Sequence, residues 1–269
     1  MQKYHSFIKS LNFSVMIFIN KWRKVRSMKE FVIETQKLTK CYGEQTVVKE
    51  VDLHVRKGEI YGLLGRNGAG KTTLMKMILG LTPKTSGKVE VFGRGLRGQE
   101  KQIYPQIGAM IEAPGFYPNL TGTENLEIFA RLRGMKGDQA VRQALAVVGL
   151  PYRDKKLFGN YSLGMKQRLG IANAILHDPK LLILDEPMNG LDPIGIAEMG
   201  EFLIKLSREQ GKTILISSHI LSEIELVADR VGIMDHGVLL AQRSMKELRD
   251  GKETLEAYFR KVTGGVGIA

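Results

Sequence analysis

A glycine-rich loop that ends in lysine and threonine constrains this chain more than any other feature of its sequence. It fits the pattern G-x-x-x-x-G-K-[ST], in which backbone N–H groups surround a phosphate and the lysine reaches the outer phosphates. The compact apolar run Ile60–Leu64 precedes the loop, and the amphipathic segment 73–79 follows it. Because a chance glycine-rich turn would lack this strand and helix, the loop predicts nucleotide binding in an α/β fold. The residues assigned to the nucleotide are Gly65, Arg66, Asn67, Gly68, Ala69, Gly70, Lys71, Thr72 and Thr73, and Thr72 is also assigned to magnesium.

A second apolar run, Leu181–Leu184, ends in two adjacent acids, Asp185 and Glu186. Such a run predicts a buried parallel strand, and parallel sheets bind their ligands at the carboxyl ends of the strands. We expect Asp185 to hold magnesium through water, and Glu186 to orient and polarise the water that attacks the γ-phosphate. An apolar strand that ends in Asp-Glu does not by itself indicate a magnesium or catalytic site. The interpretation depends on the glycine-rich loop in the same chain.

The segment 161–168 opens a helix, and it carries a family resemblance. Its residues, Tyr-Ser-Leu-Gly-Met-Lys-Gln-Arg, resemble the Leu-Ser-Gly-Gly-Gln signature of ATP-binding-cassette ATPases and precede the acidic strand as in that family. Ser162 and Gly164 match the signature. The positions that depart from it are Tyr161, Leu163 and Met165. The resemblance implies that residues 162–165 contact an ATP molecule that is held between two cassettes. A plain serine N-cap also explains Ser162, and the two interpretations are compatible.

The resemblance covers residues 28 to about 265 and implies further site residues. It implies that Tyr42 stacks on adenine and that Asp192 belongs to the loop that couples the two sites of a cassette dimer. It also implies that His219 is the switch histidine that contacts the γ-phosphate. Without the other motifs, a histidine after a strand is more often structural.

Glu112 stands where that family usually has a glutamine, which senses magnesium and the transport partner. The glutamate resembles the cassettes of bacitracin-resistance and lantibiotic-immunity exporters. It implies that Glu112 is a further magnesium ligand and adds negative charge beside the phosphates. The alternative is an ordinary solvated acid in a loop.

Positive charge is concentrated at the amino terminus. The chain has a net charge of +12, and its first 27 residues carry six cationic side chains and no acid. They also contain an apolar run, 11–19, that is shorter than the ~20 apolar residues a membrane span needs. Two alternatives remain for residues 1–27: a segment that lies on a membrane surface, or an extension that is disordered or precedes a start at Met28. We expect the fold to occupy residues 28–265, with a short tail at 266–269.

Turn residues separate short β-branched runs from longer helical ones. Strands are predicted over 31–38 and 46–55, with two further short strands around residues 236–237, and helices over 124–132, 139–148, 221–228, 245–248 and 255–262. The resemblance implies an α/β fold, the P-loop NTPase ATP-binding cassette. This fold has a mixed sheet core, an antiparallel β subdomain and an inserted α-helical subdomain, here over about 113–178.

Together with these features, the resemblance implies the ATP-hydrolysing subunit of a bacterial exporter, with ATP and Mg2+ as cofactors. The resemblance implies separate transmembrane permease subunits as partners, a homodimer that closes on ATP, and a peptide antibiotic as cargo, or else another drug or a lipid-like substrate. The rival is a soluble cassette protein that acts on ribosomes or DNA, which the positive charge favours. No specific nucleic acid is expected, because half of the net charge lies in the first 27 residues. The single cysteine, Cys41, favours a reducing compartment, so we expect a cytoplasmic protein on the inner face of the membrane.

Overall fold

The computed structural model describes residues 31–112 and 115–265, so the predictions for residues 1–27 and 266–269 lie outside it. The strands are β1 (Phe31–Tyr42), β2 (Gln45–Val51), β3 (His54–Arg56), β4 (Ile60–Leu64), β5 (Ser86–Val91), β6 (Arg94–Gly95), β7 (Ile107–Met110), β8 (Leu181–Leu184), β9 (Thr213–Ser218), β10 (Arg230–Asp235) and β11 (Val238–Ser244). The helices are α1 (Lys71–Ile78), α2 (Glu100–Ile103), α3 (Gly122–Leu132), α4 (Gln139–Val147), α5 (Leu163–Ile175), α6 (Pro193–Gln210), α7 (Leu221–Val227), α8 (Met245–Asp250) and α9 (Leu255–Val262). No helix in these ranges is both long and apolar enough to cross a membrane.

The amino-terminal strands form an antiparallel sheet in the order β2-β1-β5-β6, with β3 also paired to β1. The single strand predicted over 46–55 is divided into β2 and β3. The break has a local cause, because Thr35 Oγ1 donates to Val51 O and accepts from Leu53 N, each at 2.8 Å. A side chain of β1 thus takes backbone groups that a continuous strand would pair with its neighbour.

The central sheet has the strand order β11-β10-β4-β9-β8-β7. Its strands are parallel except for β11, which pairs antiparallel with β10. Successive residues of one strand enter two separate apolar clusters: Leu182 and Leu184 lie in one, and Leu181 and Ile183 lie in the other. Both faces of the sheet are therefore covered, which explains why these strands are continuous apolar runs in the sequence.

The described elements between β7 and β8 are helical. Helix α3 begins at a capping box, in which the Thr121 side chain accepts from Glu124 N and the Glu124 side chain accepts from Thr121 N. The ring of Phe158 packs on Phe116 and Tyr161, with centroid distances of 5.1 and 5.8 Å. The mixed sheet, the antiparallel sheet and this helical insertion confirm the predicted fold class. The subdomain boundaries near residues 113 and 178 stay predictions.

Candidate functional site

Three parallel strands of the central sheet end at one edge and bring separate motifs together. Gly65 follows β4, Asp185 follows β8, and His219 follows β9. The N–H of Gly65 donates to Ser218 O at 3.2 Å, which ties the glycine-rich loop to the end of β9. The strand order thus assembles a site from residues that are distant in the sequence.

The glycine-rich loop curls tightly into α1. Gly68 and Gly70 have φ angles of 81° and 98°, in the left-handed region that glycine adopts without a steric penalty. A Cβ at Gly65 would lie 2.2 Å from Met234 O, so the backbone there admits no side chain. Arg66 is half-buried, Asn67 and Gly68 are exposed, and Ala69 and Gly70 are buried. The loop leads into a helix amino terminus, whose N–H groups and partial positive charge favour a phosphate.

The ammonium group of Lys71 is directed back into this loop. Lys71 is 5% exposed, and its Nζ donates to Gly65 O at 2.6 Å and to Arg66 O at 3.2 Å. The same Nζ lies 3.2 Å from Glu186 Oε1. The loop thus holds a buried cation at the place where a bound phosphate would need one.

The predicted magnesium residues Thr72 and Asp185 meet in the structure. Thr72 Oγ1 donates to Asp185 Oδ2 at 2.7 Å, and Ser217 Oγ donates to Asp185 Oδ1 at 2.5 Å. Asp185 is 7% exposed, so both carboxylate oxygens are held in place. Thr73, the next residue of α1, is half-buried.

Glu186 and His219, the predicted catalytic residues, are in direct contact. Glu186 Oε2 lies 2.9 Å from His219 Nδ1, while Glu186 Oε1 faces Lys71. The backbone of Glu186 has a φ of 48°, a left-handed conformation that is strained for a residue with a side chain. Its N–H donates to Ser217 Oγ at 2.9 Å, a hydrogen bond that helps to hold this turn.

Ser217 is a site residue that the sequence interpretation missed. Its hydroxyl group donates to Asp185 and accepts from the N–H of Glu186, and its side chain is fully buried. Its position two residues before His219 is the only hint in the sequence. Ser217 reaches the acids only because β9 lies next to β8. The register, in which Leu184 pairs with Ile216, puts the two acids beside Ser217.

Glu112 lies at the margin of this site and is bound by a lysine. Its Oε1 is 2.6 Å from Lys76 Nζ, and its side chain is 65% exposed. The hydrogen bond with Glu112 raises the pKa of Lys76, and the negative charge of Asp185 acts in the same direction. Glu112 therefore carries a charge partner on the helix that follows the phosphate loop, while its role as a magnesium ligand stays a prediction.

The signature segment lies against the loop that contains Asp192. Ser162 Oγ caps α5 by accepting from Met165 N at 3.2 Å, and Asp192 Oδ1 caps α6 by accepting from Gly195 N at 2.8 Å. Leu163 is 47% exposed, and a Cβ at Gly190 would lie 2.6 Å from its Cδ2. Gly164 is half-buried, and Asp192 is exposed. Ser162 is thus an N-cap in the structure, and the predicted contact of residues 162–165 with a nucleotide is compatible with that role.

Tyr42 ends β1 with a ring that is 51% exposed, and the Nζ of Lys40 lies 4.5 Å from its centroid. The strand that follows packs on the phosphate loop, since a Cβ at Gly70 would lie 2.7 Å from Val47 O. An exposed ring on this hairpin is a suitable platform for a base, and adenine stacking stays a prediction.

The oxygens near Thr72 suit magnesium only together with ligands from the nucleotide. Among the described residues there is no cluster of three or more His, Cys, Asp or Glu that could hold a metal ion. One hydroxyl group and one carboxylate are the usual protein share of a magnesium site that is completed by phosphate oxygens and water. The residues present therefore fit such an ion.

Comparisons with known proteins agree on one family. The sequence model described as "ABC transporter" matches residues 48–189. The chain is similar to the bacitracin transport ATP-binding protein BcrA of Enterococcus faecalis, with 59% identity over 81% of this chain and 71% of that protein. It is also similar to the lantibiotic transport ATP-binding protein SrtF of Streptococcus pyogenes, with 42% identity over 85% of this chain and 96% of that protein.

A solved structure gives the same result for the fold. The structure described as the ATP-binding subunit of an ABC transporter superposes with a TM-score of 0.75 and 30% identity. The match covers 86% of this chain and 99% of that one.

Proposed function

The chain belongs to the ABC transporter family as an ATP-hydrolysing, ATP-binding subunit, and we propose that it powers the export of a peptide antibiotic of the bacitracin or lantibiotic class. The family match and the similarity to BcrA confirm the membership in this family and the ATPase activity that the sequence resemblance implied. The cargo class rests on what relatives such as BcrA and SrtF are named for transporting. The observation that carries the ATPase role is the contact between Glu186, Lys71 and His219 at the end of the phosphate loop.

For nucleotide binding, we propose that the loop from Gly65 to Thr73 wraps the phosphates of ATP. Its backbone reaches the amino terminus of α1, and Lys71 is the buried cation that faces the outer phosphates. Tyr42 would stack on the base. Thr72 and Asp185 would hold Mg2+, with Glu112 as a further ligand, and the ion would neutralise phosphate charge when bound.

For hydrolysis, Glu186 is the proposed general base. When phosphates bind, Lys71 exchanges its contact with Glu186 for phosphate oxygens, and Glu186 Oε1 then accepts a hydrogen bond from the attacking water. His219 holds the other oxygen, Oε2, at 2.9 Å and so fixes the orientation of the carboxylate. The water oxygen attacks the γ-phosphorus as its proton passes to Glu186, and the bond to the β-phosphate oxygen breaks.

For assembly, we propose that two copies close head to tail around two ATP molecules. Ser162, Leu163 and Asp192 are exposed on one side of the molecule and are available to a second copy. The γ-phosphate joins the two chains, so its removal reopens them. That movement would act on separate transmembrane permease subunits, which would hold the chain at the cytoplasmic face of the membrane.

The test of the exporter role is an ATP-dependent pull-down. Tagged Glu186→Gln protein is incubated with a lysate of detergent-solubilised native cells, ATP and Mg2+, and its partners are identified by mass spectrometry. The matched control carries Lys71→Ala as well, and should not form the ATP-bound state. A multi-span membrane protein recovered with the first protein and not with the second supports the proposal. Ribosomal proteins or nucleic acid in its place would move the function to the soluble rival.

The cargo class is tested in cells. Loss of the gene should lower the concentration of bacitracin or of a lantibiotic that stops growth, and expression of the chain with its permease should restore it. Unchanged sensitivity to both classes, with an intact ATPase and permease, would leave another amphiphilic drug or lipid as the substrate.

We expect Ser217→Ala to slow ATP hydrolysis about tenfold and to leave ATP binding unchanged. The change removes one hydrogen bond to Asp185 and the acceptor for the N–H of Glu186, and one such bond is worth about 1–1.5 kcal/mol. Steady-state phosphate release measures the effect. Ser207→Ala is the control, because Ser207 is also buried and donates to Gly58 O away from the site. A rate in Ser217→Ala that equals the rate in Ser207→Ala would mean that the hydrogen bonds of Ser217 do not contribute to hydrolysis.

We expect Glu112→Gln to change the magnesium dependence of ATP hydrolysis and its coupling to the permease. The change removes a charge beside the proposed ion and the ion pair with Lys76. The concentration of Mg2+ that gives half-maximal ATPase activity should rise about threefold or more, since a neutral ligand attracts the ion less strongly. Unchanged Mg2+ dependence and unchanged stimulation by the permease would make Glu112 a solvated loop acid.

A further inference from the structure

Behind the turn that carries His219 lies a buried acid that the proposed hydrolysis does not use. Glu223 is on α7 and is only 2% exposed. Its Oε2 accepts a hydrogen bond from Ser218 Oγ. The same hydroxyl group accepts from the N–H of Ile220 at 2.9 Å. Ser218 and Ile220 flank His219, so one hydroxyl group joins both sides of the histidine turn to Glu223.

The other oxygen of this carboxyl group has no partner. Glu223 Oε1 is buried and makes no hydrogen bond within the described part of the chain. The pKa of Glu223 is raised, mainly by burial and also by the charge of Glu186. The hydrogen bond from Ser218 and the interaction with His219 lower the pKa, but by less. A buried carboxyl group with an unpaired oxygen costs folding free energy, so packing does not explain its presence.

We propose that Glu223 is a positioning residue of the ATPase site: through Ser218, its carboxylate fixes the turn that holds His219 against Glu186. This inference rests on the proposed roles of Glu186 and His219. It goes beyond them, because no hydrogen bond or ion pair among the described residues joins Glu223 to the phosphate loop, to Glu186 or to His219. A change in Glu223 alters the rate by moving His219.

The geometry explains how Glu223 can affect His219 through the neighbouring residue, Ser218. His219 Nδ1 and Glu186 Oε2 are 2.9 Å apart, and hydrogen bonds weaken steeply when the distance or angle departs from the optimum. Gly65 N also donates to Ser218 O at 3.2 Å. Ser218 is therefore held by the phosphate loop through its backbone and by Glu223 through its side chain, and loss of the second contact removes the hydrogen bond that anchors the histidine turn to α7.

The experiment compares Glu223→Ala and Glu223→Gln with Glu225→Gln in purified full-length protein. Glu225 is the matched control because it lies on the same helix, is exposed and accepts a hydrogen bond from Leu255 N at 3.3 Å rather than from Ser218. We expect kcat for ATP hydrolysis to fall about tenfold in Glu223→Ala and about threefold in Glu223→Gln, while KM for ATP stays within twofold. Glu225→Gln should match the wild type in both constants.

A second measurement separates positioning from folding. Because the pKa of Glu223 is raised in the folded protein, the folded state is penalised once pH rises above the carboxyl pKa of the unfolded chain. Glu223→Gln removes that penalty, so its Tm at pH 7 should equal or exceed the wild-type Tm while kcat falls. Wild-type kcat in both Glu223 variants, or a kcat that falls only together with Tm, would overturn the inference.

The pH dependence gives a third readout. A carboxylate accepts a stronger hydrogen bond than a neutral carboxyl group does, and Glu186 and His219 are the side chains whose electrostatic interactions act on Glu223. The ratio of wild-type to Glu223→Gln kcat should therefore rise with pH as Glu223 ionises, and a flat ratio argues against the proposal. If the wild type itself hydrolyses no ATP, it is the proposed function that fails.

Discussion

Replacement of Glu186 by Gln should lower ATP hydrolysis by about 100-fold to 10,000-fold, the range for removal of a general base, and leave ATP binding intact. The amide keeps the shape of the side chain and one oxygen that can face His219, but it cannot take a proton from water. Lys71 and the phosphate loop, which would bind the nucleotide, are unchanged. Phosphate release measures the rate, and titration with a fluorescent ATP analogue measures the affinity.

The same variant should accumulate as a dimer when ATP and Mg2+ are present. A γ-phosphate that is not removed keeps the two chains together, so size-exclusion chromatography should show twice the monomer mass with ATP and the monomer with ADP. Glu201→Gln, on the exposed face of α6, is the control and should hydrolyse ATP at the wild-type rate. A Glu186→Gln protein with normal turnover would exclude Glu186 as the base.

Continuous sequence motifs were enough to predict where part of the candidate site lies, while the roles of its residues stay predictions. The strand Leu181–Leu184 can be predicted from the sequence because a strand buried on both faces must be apolar throughout. The two acids that follow it then mark the end of the strand. Thr72 contacts Asp185 and Lys71 contacts Glu186, since parallel strands present their carboxyl ends at one edge. These inferences depend on local pattern and on one general rule of sheet topology.

Other parts of the site could not be predicted because they depend on strand order and register. Ser217 and Glu223 look like ordinary polar residues until β9 lies beside β8 and α7 folds behind the turn at His219. The ion pair of Glu112 with Lys76 joins the loop after β7 to helix α1, two segments that are distant in the sequence. A side chain from β1 divides the predicted strand 46–55, and no pattern within that strand reveals it.

Replacement of Lys71 by Ala should weaken ATP binding about 100-fold or more and abolish measurable hydrolysis. A charge-assisted hydrogen bond to a phosphate is worth about 1.5–3 kcal/mol, and the buried site of Lys71 limits competition from water. The change has a second cost, since Glu186 Oε1 loses its cation and places an uncompensated negative charge near the phosphates.

Isothermal titration with ATP and Mg2+ measures this loss, and circular dichroism checks that the variant is folded. Lys205→Ala is the matched control, because Lys205 is an exposed lysine on α6 that pairs only weakly, at 4.0 Å, with Glu209. It should bind ATP as the wild type does. Lys71→Ala combined with Glu186→Gln should bind ATP more tightly than Lys71→Ala alone, because the second change removes the repelling charge. Equal affinities in those two variants would mean that Lys71 acts on the phosphates alone, and wild-type affinity in Lys71→Ala would place the phosphates elsewhere.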